Sequence, residues 1–222
     1  GIDNLGIDLM YGLPKQTVPD IQYSATLAAR LRPQRVAIFG YAHVPWFKKQ
    51  QRLIDQRALP DADERYRQAL AARSAWLDLG YEQVGIDHYV LPQDKLAVAS
   101  RNRTLHRNFQ GYSTHAECDL VGLGASAIGM LGPTFYQNHR TLPDYYEHLD
   151  RNELPVMRGF EMAPDDLVRR AVIQALMCHF ELCKESIESS WLIEFDTYFA
   201  QELAELKVME SEGLVEIDRQ WI

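Results

Sequence analysis

The chain has 222 residues, of which 46% are hydrophobic and 24% are charged, and its formal net charge is −8. This length and composition are typical of one large globular domain or one domain and a half. No apolar run approaches the ~20 residues that a membrane-spanning helix needs, which argues against the membrane as a partner. Three cysteines without disulfide-framework spacing predict a reducing, cytoplasmic setting.

The charge is distributed unevenly along the chain. Residues 141–222 contain 7 Lys and Arg against 18 Asp and Glu, whereas residues 1–140 contain 16 against 13. Binding to nucleic acid requires clustered Lys and Arg that neutralise phosphates, so the acidic tail argues against nucleic acid as a partner. The first part is the better candidate for an anionic ligand.

Predicted strands and helices alternate over residues 1–140. Residues 5–11 read as a buried strand, and further strands are predicted at 35–44, 82–90 and 118–124, with helices at 18–33 and 60–81. This order favours parallel pairing through crossover helices. Because the chain opens within five residues of a strand and lacks an initial Met, we expect it to be the C-terminal half of a larger α/β barrel or open sheet.

The pattern changes to helices after about residue 140. Helices are predicted at 163–182 and 195–213, followed by a strand at 214–222. We therefore predict two domains, an α/β domain at 1–140 and a helical domain at 141–222 that resembles the start of a winged-helix fold.

Polar, aromatic or glycine-rich residues follow each predicted strand, where ligands of α/β sheets bind. Asp8 lies in an apolar strand, so it either accepts hydrogen bonds from a ligand ribose or amine or is paired with a Lys or Arg. His43 and His88 are candidates for acid/base groups or metal ligands, but no compact metal-ligand spacing accompanies them, which favours satisfied structural histidines. The glycines of GLGASAIG (122–129) permit close approach of a ligand, although a simple turn is the alternative.

A basic stretch, RNRTLHRNFQ, covers residues 101–110. It contains Arg101, Arg103, His106 and Arg107 within seven residues, which suits a carboxylate-rich ligand. A solvated basic loop is the alternative interpretation. Cys178 and Cys183 are five residues apart on a predicted helix and do not face one metal, so we interpret them as structural thiols.

Five motifs occur together in a characteristic order: IDLMYGLPKQT, YAHVPWFKKQQRLI, GIDHYVLPQDKLAVA, LHRNFQGYST and DLVGLGASAIG. In these motifs the chain resembles the oxygen-independent coproporphyrinogen III oxidases, also called coproporphyrinogen dehydrogenases. These are radical S-adenosylmethionine (SAM) enzymes of haem biosynthesis. The resemblance extends over essentially the whole chain and is strongest in residues 5–130.

The resemblance implies a barrel of about six βα units followed by a mostly helical domain, and the family suggests a monomer. It implies a [4Fe–4S] cluster on a CxxxCxxC loop, one SAM on the cluster and a second SAM nearby. With an electron donor, SAM cleavage would yield a 5′-deoxyadenosyl radical that takes a hydrogen from a substrate propionate. Two rounds of this reaction, each with loss of CO₂, convert coproporphyrinogen III into protoporphyrinogen IX.

Particular residues match the family's motifs. By resemblance, Asp8, Ala42 and Ile128 are SAM contacts, and Gln110 falls near the second SAM and the substrate. We further predict that Arg103, His106 and Arg107 hold substrate propionates.

No CxxxCxxC occurs in these 222 residues. We expect the cluster ligands upstream of Gly1, so we predict that this chain alone binds no metal cluster and is inactive. A related alternative is a radical-SAM-like haem chaperone that binds and transfers haem, but such proteins typically lack the YAHVPW and HRNFQGY motifs. A third alternative is an α/β interaction module. This alternative would leave unexplained the polar, aromatic or glycine-rich residues that follow each predicted strand.

Overall fold

The computed structural model describes residues 4–116 and 118–222. The chain forms two compact units, the first ending at Thr104 and the second beginning at Leu105. The domain boundary that the sequence suggests near residue 140 falls inside the second unit.

The first unit contains a four-stranded sheet in the order β1-β2-β4-β3. Its strands are β1 (Gly6–Tyr11), β2 (Arg35–Gly40), β3 (Glu82–Val84) and β4 (His88–Val90). Its helices are α1 (Val18–Ala29), α2 (Ala62–Asp78) and α3 (Lys95–Arg101), with 3₁₀ turns at Lys49–Leu53 and Gln56–Ala58.

The predicted strand–helix–strand start is confirmed. β1 and β2 pair in parallel, joined by α1, with Ile7 opposite Val36 and Asp8 opposite Ala37. Because alternate strand residues face opposite sides, Ile7 packs on the helices while Asp8 faces the other side. The core on the helical side includes Trp76, which is fully buried.

The single strand predicted at 82–90 is wrong. Residues 85–87 form a turn, with Gly85 at φ +60°, so the segment folds as the antiparallel pair β3–β4. β4 consequently runs antiparallel to β2, and the parallel pairing expected for this segment is wrong as well. Glycine at a positive φ explains how the chain reverses within a run of strand-like residues.

The second unit contains a hairpin and a three-stranded antiparallel sheet. The hairpin is β5 (His106–Asn108) and β6 (Gly111–Ser113), and the sheet is β7 (Ile128–Leu131), β8 (Thr134–Asn138) and β9 (Val156–Glu161). The helices are α4 (Leu142–Asp150), α5 (Pro164–His179), α6 (Lys184–Trp191), α7 (Phe195–Tyr198) and α8 (Ala200–Ser211). A core around Phe195, Phe199 and Leu182 holds α5 to α8 together.

Two further predicted strands are wrong. In the segment 118–124 only Leu120 pairs, in a bridge to Met130, and in 214–222 only Trp221 pairs, in a bridge to Cys183. The segment 118–124 is occupied instead by a loop whose glycines bond to side chains of the sheet. The helix predicted at 195–213 is present as α7 and α8, which are interrupted at Phe199.

The predominantly helical tail also contains β9, which the sequence did not predict. Its side chains are exposed along its whole length. Its sequence, VMRGFE, therefore lacks the alternation of apolar and polar residues that predicts a half-buried strand. Pairing with β8 forms it, with Phe135 opposite Phe160 and Gln137 opposite Arg158. Within the described residues, no helix is both long and apolar enough to cross a lipid bilayer.

Candidate functional site

The carboxyl ends of β1 and β2 are held by two side chains of α2. The Gly12 main-chain N–H donates to Gln68 Oε1 at 2.9 Å, and Gln68 is fully buried. Arg65 Nη1 donates to the Tyr41 carbonyl oxygen at 2.8 Å. A Cβ on Gly12 or on Gly40 would lie 3.2 or 3.1 Å from the Arg65 guanidinium, so glycine permits this close approach.

Ala42, a predicted SAM contact, directly follows Tyr41, whose carbonyl oxygen accepts from Arg65, and Ala42 is exposed. Its carbonyl oxygen accepts from Gln51 Nε2 at 2.9 Å. In the neighbouring His43, Nδ1 lies 3.2 Å from the Tyr41 hydroxyl. His43 Nε2 is buried and has no hydrogen-bond partner among residues 4–116 and 118–222. The prediction that His43 is a satisfied structural histidine is therefore wrong for this nitrogen, which is buried and unpaired among the described residues.

Asp8 lies on the sheet face opposite the helices and is exposed. The register places Asp8, Ala37 and His88 in one row across β1, β2 and β4. His88 Nδ1 contacts Asp87 Oδ1 at 2.6 Å, so this histidine has the partner expected of a structural residue. In the described part of the chain Asp8 makes no ion pair, so its exposed carboxylate is available there as a hydrogen-bond acceptor.

In the second unit, three side chains bind the glycine-rich loop 122–129. Asn138 Nδ2 donates to the carbonyl oxygens of Gly122 and Gly124 at 3.1 and 3.0 Å, and Asn138 is buried. The N–H groups of the same two glycines donate to the hydroxyl oxygens of Tyr136 and Tyr145, both at 3.2 Å. The loop is therefore fixed in place before any ligand binds.

Gln110 and Ile128, two further predicted SAM contacts, touch each other. Gln110 lies in the turn of the β5–β6 hairpin, and its N–H donates to Asn108 Oδ1 at 2.9 Å. Its Nε2 donates to the Ile128 carbonyl oxygen at 3.2 Å. The structure thus joins two motifs that are 18 residues apart.

The three residues predicted to hold propionates do not form one cluster within a unit. Arg103 belongs to the first unit, follows α3 and has φ +56°. His106 and Arg107 belong to β5 of the second unit and, as neighbours in a strand, point to opposite faces of the hairpin. The Arg107 guanidinium lies 5.2 Å from the centre of the Tyr112 ring.

Two adjoining cavities in the second unit, of about 480 and 600 Å³, were not predicted from sequence. Both are lined by Phe109 and Phe135, the smaller also by Phe160 and Arg158, and the larger also by Arg107 and Arg170. Arg65, Gln68 and Asn138 were missed as well, because single polar residues in helices or strands carry no motif.

The cysteines do not form a metal site. Cys118 is exposed, Cys178 is buried and Cys183 is half-buried, and burial raises the pKa of the Cys178 thiol. Within the described ranges no three His, Cys, Asp or Glu side chains come together as metal ligands.

Comparison with known proteins identifies the family. No model of a known protein family matches the chain. An oxygen-independent coproporphyrinogen III oxidase from Thermostichus vulcanus is 38% identical over 218 residues, which are 98% of this chain and 67% of that relative. The chain belongs to the oxygen-independent coproporphyrinogen III oxidase family. The resemblance found in the sequence motifs is confirmed.

Further comparisons agree with this family. An enzyme of the same name from Synechocystis sp. is 42% identical over 217 residues, 96% of this chain and 47% of that protein. The structure of coproporphyrinogen III oxidase from Escherichia coli, described as a radical SAM enzyme, matches with a TM-score of 0.93 and 39% identity. This structural likeness confirms the predicted α/β class. The match covers 100% of this chain and 51% of the Escherichia coli chain, so this chain spans about half the length of these two relatives.

Proposed function

We propose that this chain forms part of an enzyme that converts coproporphyrinogen III into protoporphyrinogen IX without oxygen, by SAM-dependent radical chemistry in haem biosynthesis. The observation that carries the proposal is the identity of about 40% with coproporphyrinogen III oxidases, sustained over nearly the whole chain. The same proposal includes a cytoplasmic location, a monomeric state and an electron donor as a further partner. It includes neither nucleic acid nor a membrane as a partner.

SAM is the cofactor whose chemistry fits the exposed groups of both units. In the first unit, the exposed Asp8 carboxylate is free to accept from ribose hydroxyls or an amine. In the second unit, Gln110 and Ile128 provide an amide beside an apolar side chain. When bound to a reduced iron–sulfur cluster, SAM supplies the hydrogen-atom acceptor. We propose two SAM molecules per active site, with Ala42 contacting one of them.

The residues of this chain do not fit the [4Fe–4S] cluster. The three cysteines are spread over an exposed, a buried and a half-buried position, and CxxxCxxC does not occur in the sequence. We assign the cluster ligands to the part of the relatives that this chain does not cover.

The finer description of the fold is also a proposal. The parallel β1–α1–β2 unit, with one uncovered sheet face, suits the second half of a radical SAM barrel of about six βα units. The helices α5 to α8, packed around one core, suit a C-terminal helical domain of winged-helix type. A division into domains at 1–140 and 141–222 belongs to this description.

The substrate carries four propionates, which require cations. We propose that Arg103, His106 and Arg107 interact with them. Arg107 supports this role best, because its guanidinium lines a cavity that also contains aromatic residues.

The test requires the full-length chain, meaning this sequence joined to the part of the relatives that it does not cover. After anaerobic reconstitution with iron and sulfide, it receives SAM, a reductant and coproporphyrinogen III. Protoporphyrin fluorescence after oxidation, with 5′-deoxyadenosine as the second product, is the expected result. SAM cleavage without protoporphyrin, together with tight haem binding, would instead assign the protein as a haem chaperone.

A further inference from the structure

One face of the β7–β8–β9 sheet carries an apolar row beside a row that contains two polar side chains. Met130, Phe135 and Phe160 are opposite one another across the three strands. Two residues further along, the same face carries Ile128, Gln137 and Arg158. Phe160 is 56% exposed and Phe135 is half-buried, whereas Met130 is buried, so the Phe160 end of the row is not covered by the rest of its own unit.

The side chain of Arg158 is held by an uncharged group, so its positive charge is not neutralised. Its Nε and Nη2 donate to the same Gln137 Oε1 at 3.0 and 2.7 Å. It makes no ion pair within residues 4–116 and 118–222. Arg169 differs, because its guanidinium bonds to both Asp165 and Glu202. A neutral amide therefore orients Arg158 while leaving its charge to an anion.

Arg170 is the second cation of this surface. Its guanidinium lies 5.8 Å from the centre of the Phe135 ring, and the described residues provide no carboxylate that pairs with it. The nearby carboxylate in the cavity lining, Asp166, accepts from the Ala163 N–H at 2.8 Å at the start of α5. Arg158 is a diagonal neighbour of Phe135 across the strand pair, which corresponds to a spacing of about 7–8 Å.

We propose that Arg158 and Arg170 each bind one carboxylate of the tetrapyrrole substrate, whose apolar ring system lies over Phe135 and Phe160. The proposal rests on the proposed function and adds the residues that select a polycarboxylate. Guanidinium groups form paired hydrogen bonds with carboxylates, and exposed aromatic rings bury apolar faces. Arg158 and Arg170 are both neighbours of Phe135, which matches a ligand with an apolar ring system and acidic side chains at its edge.

The test measures binding directly and independently of turnover. The full-length chain is titrated with coproporphyrin III, the stable oxidised form of the substrate, and fluorescence gives Kd. We expect Arg158→Gln and Arg170→Gln each to raise Kd about tenfold, and the double variant to raise it more. Arg158→Lys should lose part of the affinity, because it keeps the charge without the planar fork.

Two controls isolate the carboxylate contacts. Arg140→Gln removes the same charge from an exposed residue of the same unit that lines neither cavity, and should change Kd less than twofold. The tetramethyl ester of coproporphyrin III, which lacks free carboxylates, should bind wild type and variants equally. Circular dichroism spectra and melting curves show whether each variant is folded. If Arg158→Gln does not fold, the Kd values of Arg158→Lys and Arg170→Gln test the carboxylate contacts instead.

The outcomes separate this inference from the proposed function. If both Gln variants bind coproporphyrin III within twofold of wild type, or if wild type does not bind it, the inference is overturned. If binding depends on Arg158 and Arg170 but wild type forms no protoporphyrin, the carboxylate site stands and the proposed reaction fails.

Discussion

The side chain of Gln110 donates from Nε2 to the main-chain oxygen of Ile128 across 3.2 Å. This bond ties the turn of the β5–β6 hairpin to the first residue of β7. It also connects the polar HRNFQ segment with the end of the glycine-rich loop. A ligand that contacts one of these two residues is therefore close to the other.

Replacing Gln110 tests this connection. In the full-length chain, Gln110→Ala removes the donor to Ile128 and an amide proposed to contact SAM. The loss of one hydrogen bond, worth about 1 kcal/mol, should lower kcat/KM for SAM about fivefold or more. The measurement is 5′-deoxyadenosine formation at varied SAM concentration. The control is Gln201→Ala, which removes only an exposed contact with Glu205, and an equal loss in this control would contradict the role of Gln110.

Asp8→Asn tests the acceptor on the open sheet face. The change keeps the size of the side chain but removes the charge and converts one acceptor oxygen into a donor. Because hydrogen bonds to charged groups contribute about 1.5–3 kcal/mol, SAM affinity should fall tenfold or more. Equilibrium dialysis with labelled SAM measures it, with Asp78→Asn on the exposed end of α2 as the control. Unchanged affinity would exclude Asp8 as a SAM ligand.

Gly129→Ala should destabilise the second unit. A Cβ at this position would lie 2.3 Å from Cζ of Tyr136, so the ring or strand β7 must move. Overpacking of this kind costs about 1–3 kcal/mol. Urea unfolding of the full-length chain measures the free energy of unfolding. Gly6→Ala, where a Cβ would have no neighbour within 4 Å, should stay within about 0.5 kcal/mol of wild type.

Rescue distinguishes the ring contact from a general effect on the strand. The double variant Gly129→Ala/Tyr136→Ala should lose less stability than the sum of the two single variants, since the removed ring leaves space for the new methyl group. Simple additivity would show that the Tyr136 ring is not the obstacle.

Gln68→Leu should destabilise the first unit. Leucine has a similar volume but leaves the Gly12 N–H without its acceptor and the Gln16 carbonyl oxygen without its donor. Leaving buried polar groups unsatisfied costs about 1–3 kcal/mol. Urea unfolding measures the loss, and Gln22→Leu, at an exposed position of α1, is the matched control. A loss no larger than that of the control would show that water or a shift of the loop satisfies these groups.

The contacts among α5, α7 and α8 predict a dependence of stability on acid. Hydrogen bonds from Tyr198 and then Arg169 lower the pKa of Asp165 below its usual 3.8, and Arg169 lowers that of Glu202 below its usual 4.5. Lowered folded-state pKa values stabilise the fold above the unfolded values. This contribution is lost as the pH falls from about 4.5 through the lower folded-state values.

Variants of this cluster should flatten the acid dependence. Arg169→Gln removes a partner of both carboxylates, so the free energy of unfolding should fall less steeply below about pH 4.5 than in wild type. Tyr198→Phe, which affects Asp165 alone, should have a smaller effect. Urea titrations at several pH values between about 3 and 6 measure the slopes. A wild-type slope retained in Arg169→Gln would show that other carboxylates dominate.

In the first unit, the sequence predicted β1, α1, β2 and α2 correctly, because each has a strong local pattern of apolar residues and clear boundaries. It failed at residues 82–90, where the strand-like composition of β3 and β4 concealed a turn at Gly85. A single glycine in an apolar run fits both a continuous strand and a reversal. Only the pairing of β4 with β2 distinguishes them.

The residue motifs by themselves determined the family, the α/β class and the candidate residues Asp8, Ala42, Gln110 and Ile128. These depend on the identity and order of amino acids, which the linear chain records. The tertiary structure alone decided that Gln110 meets Ile128, that Gln68 and Asn138 hold the glycine turns, and that Arg158 lies beside Phe135. The physical reason is that hydrogen bonding and strand register join residues distant in sequence, and these pairings exist only once the strands have paired.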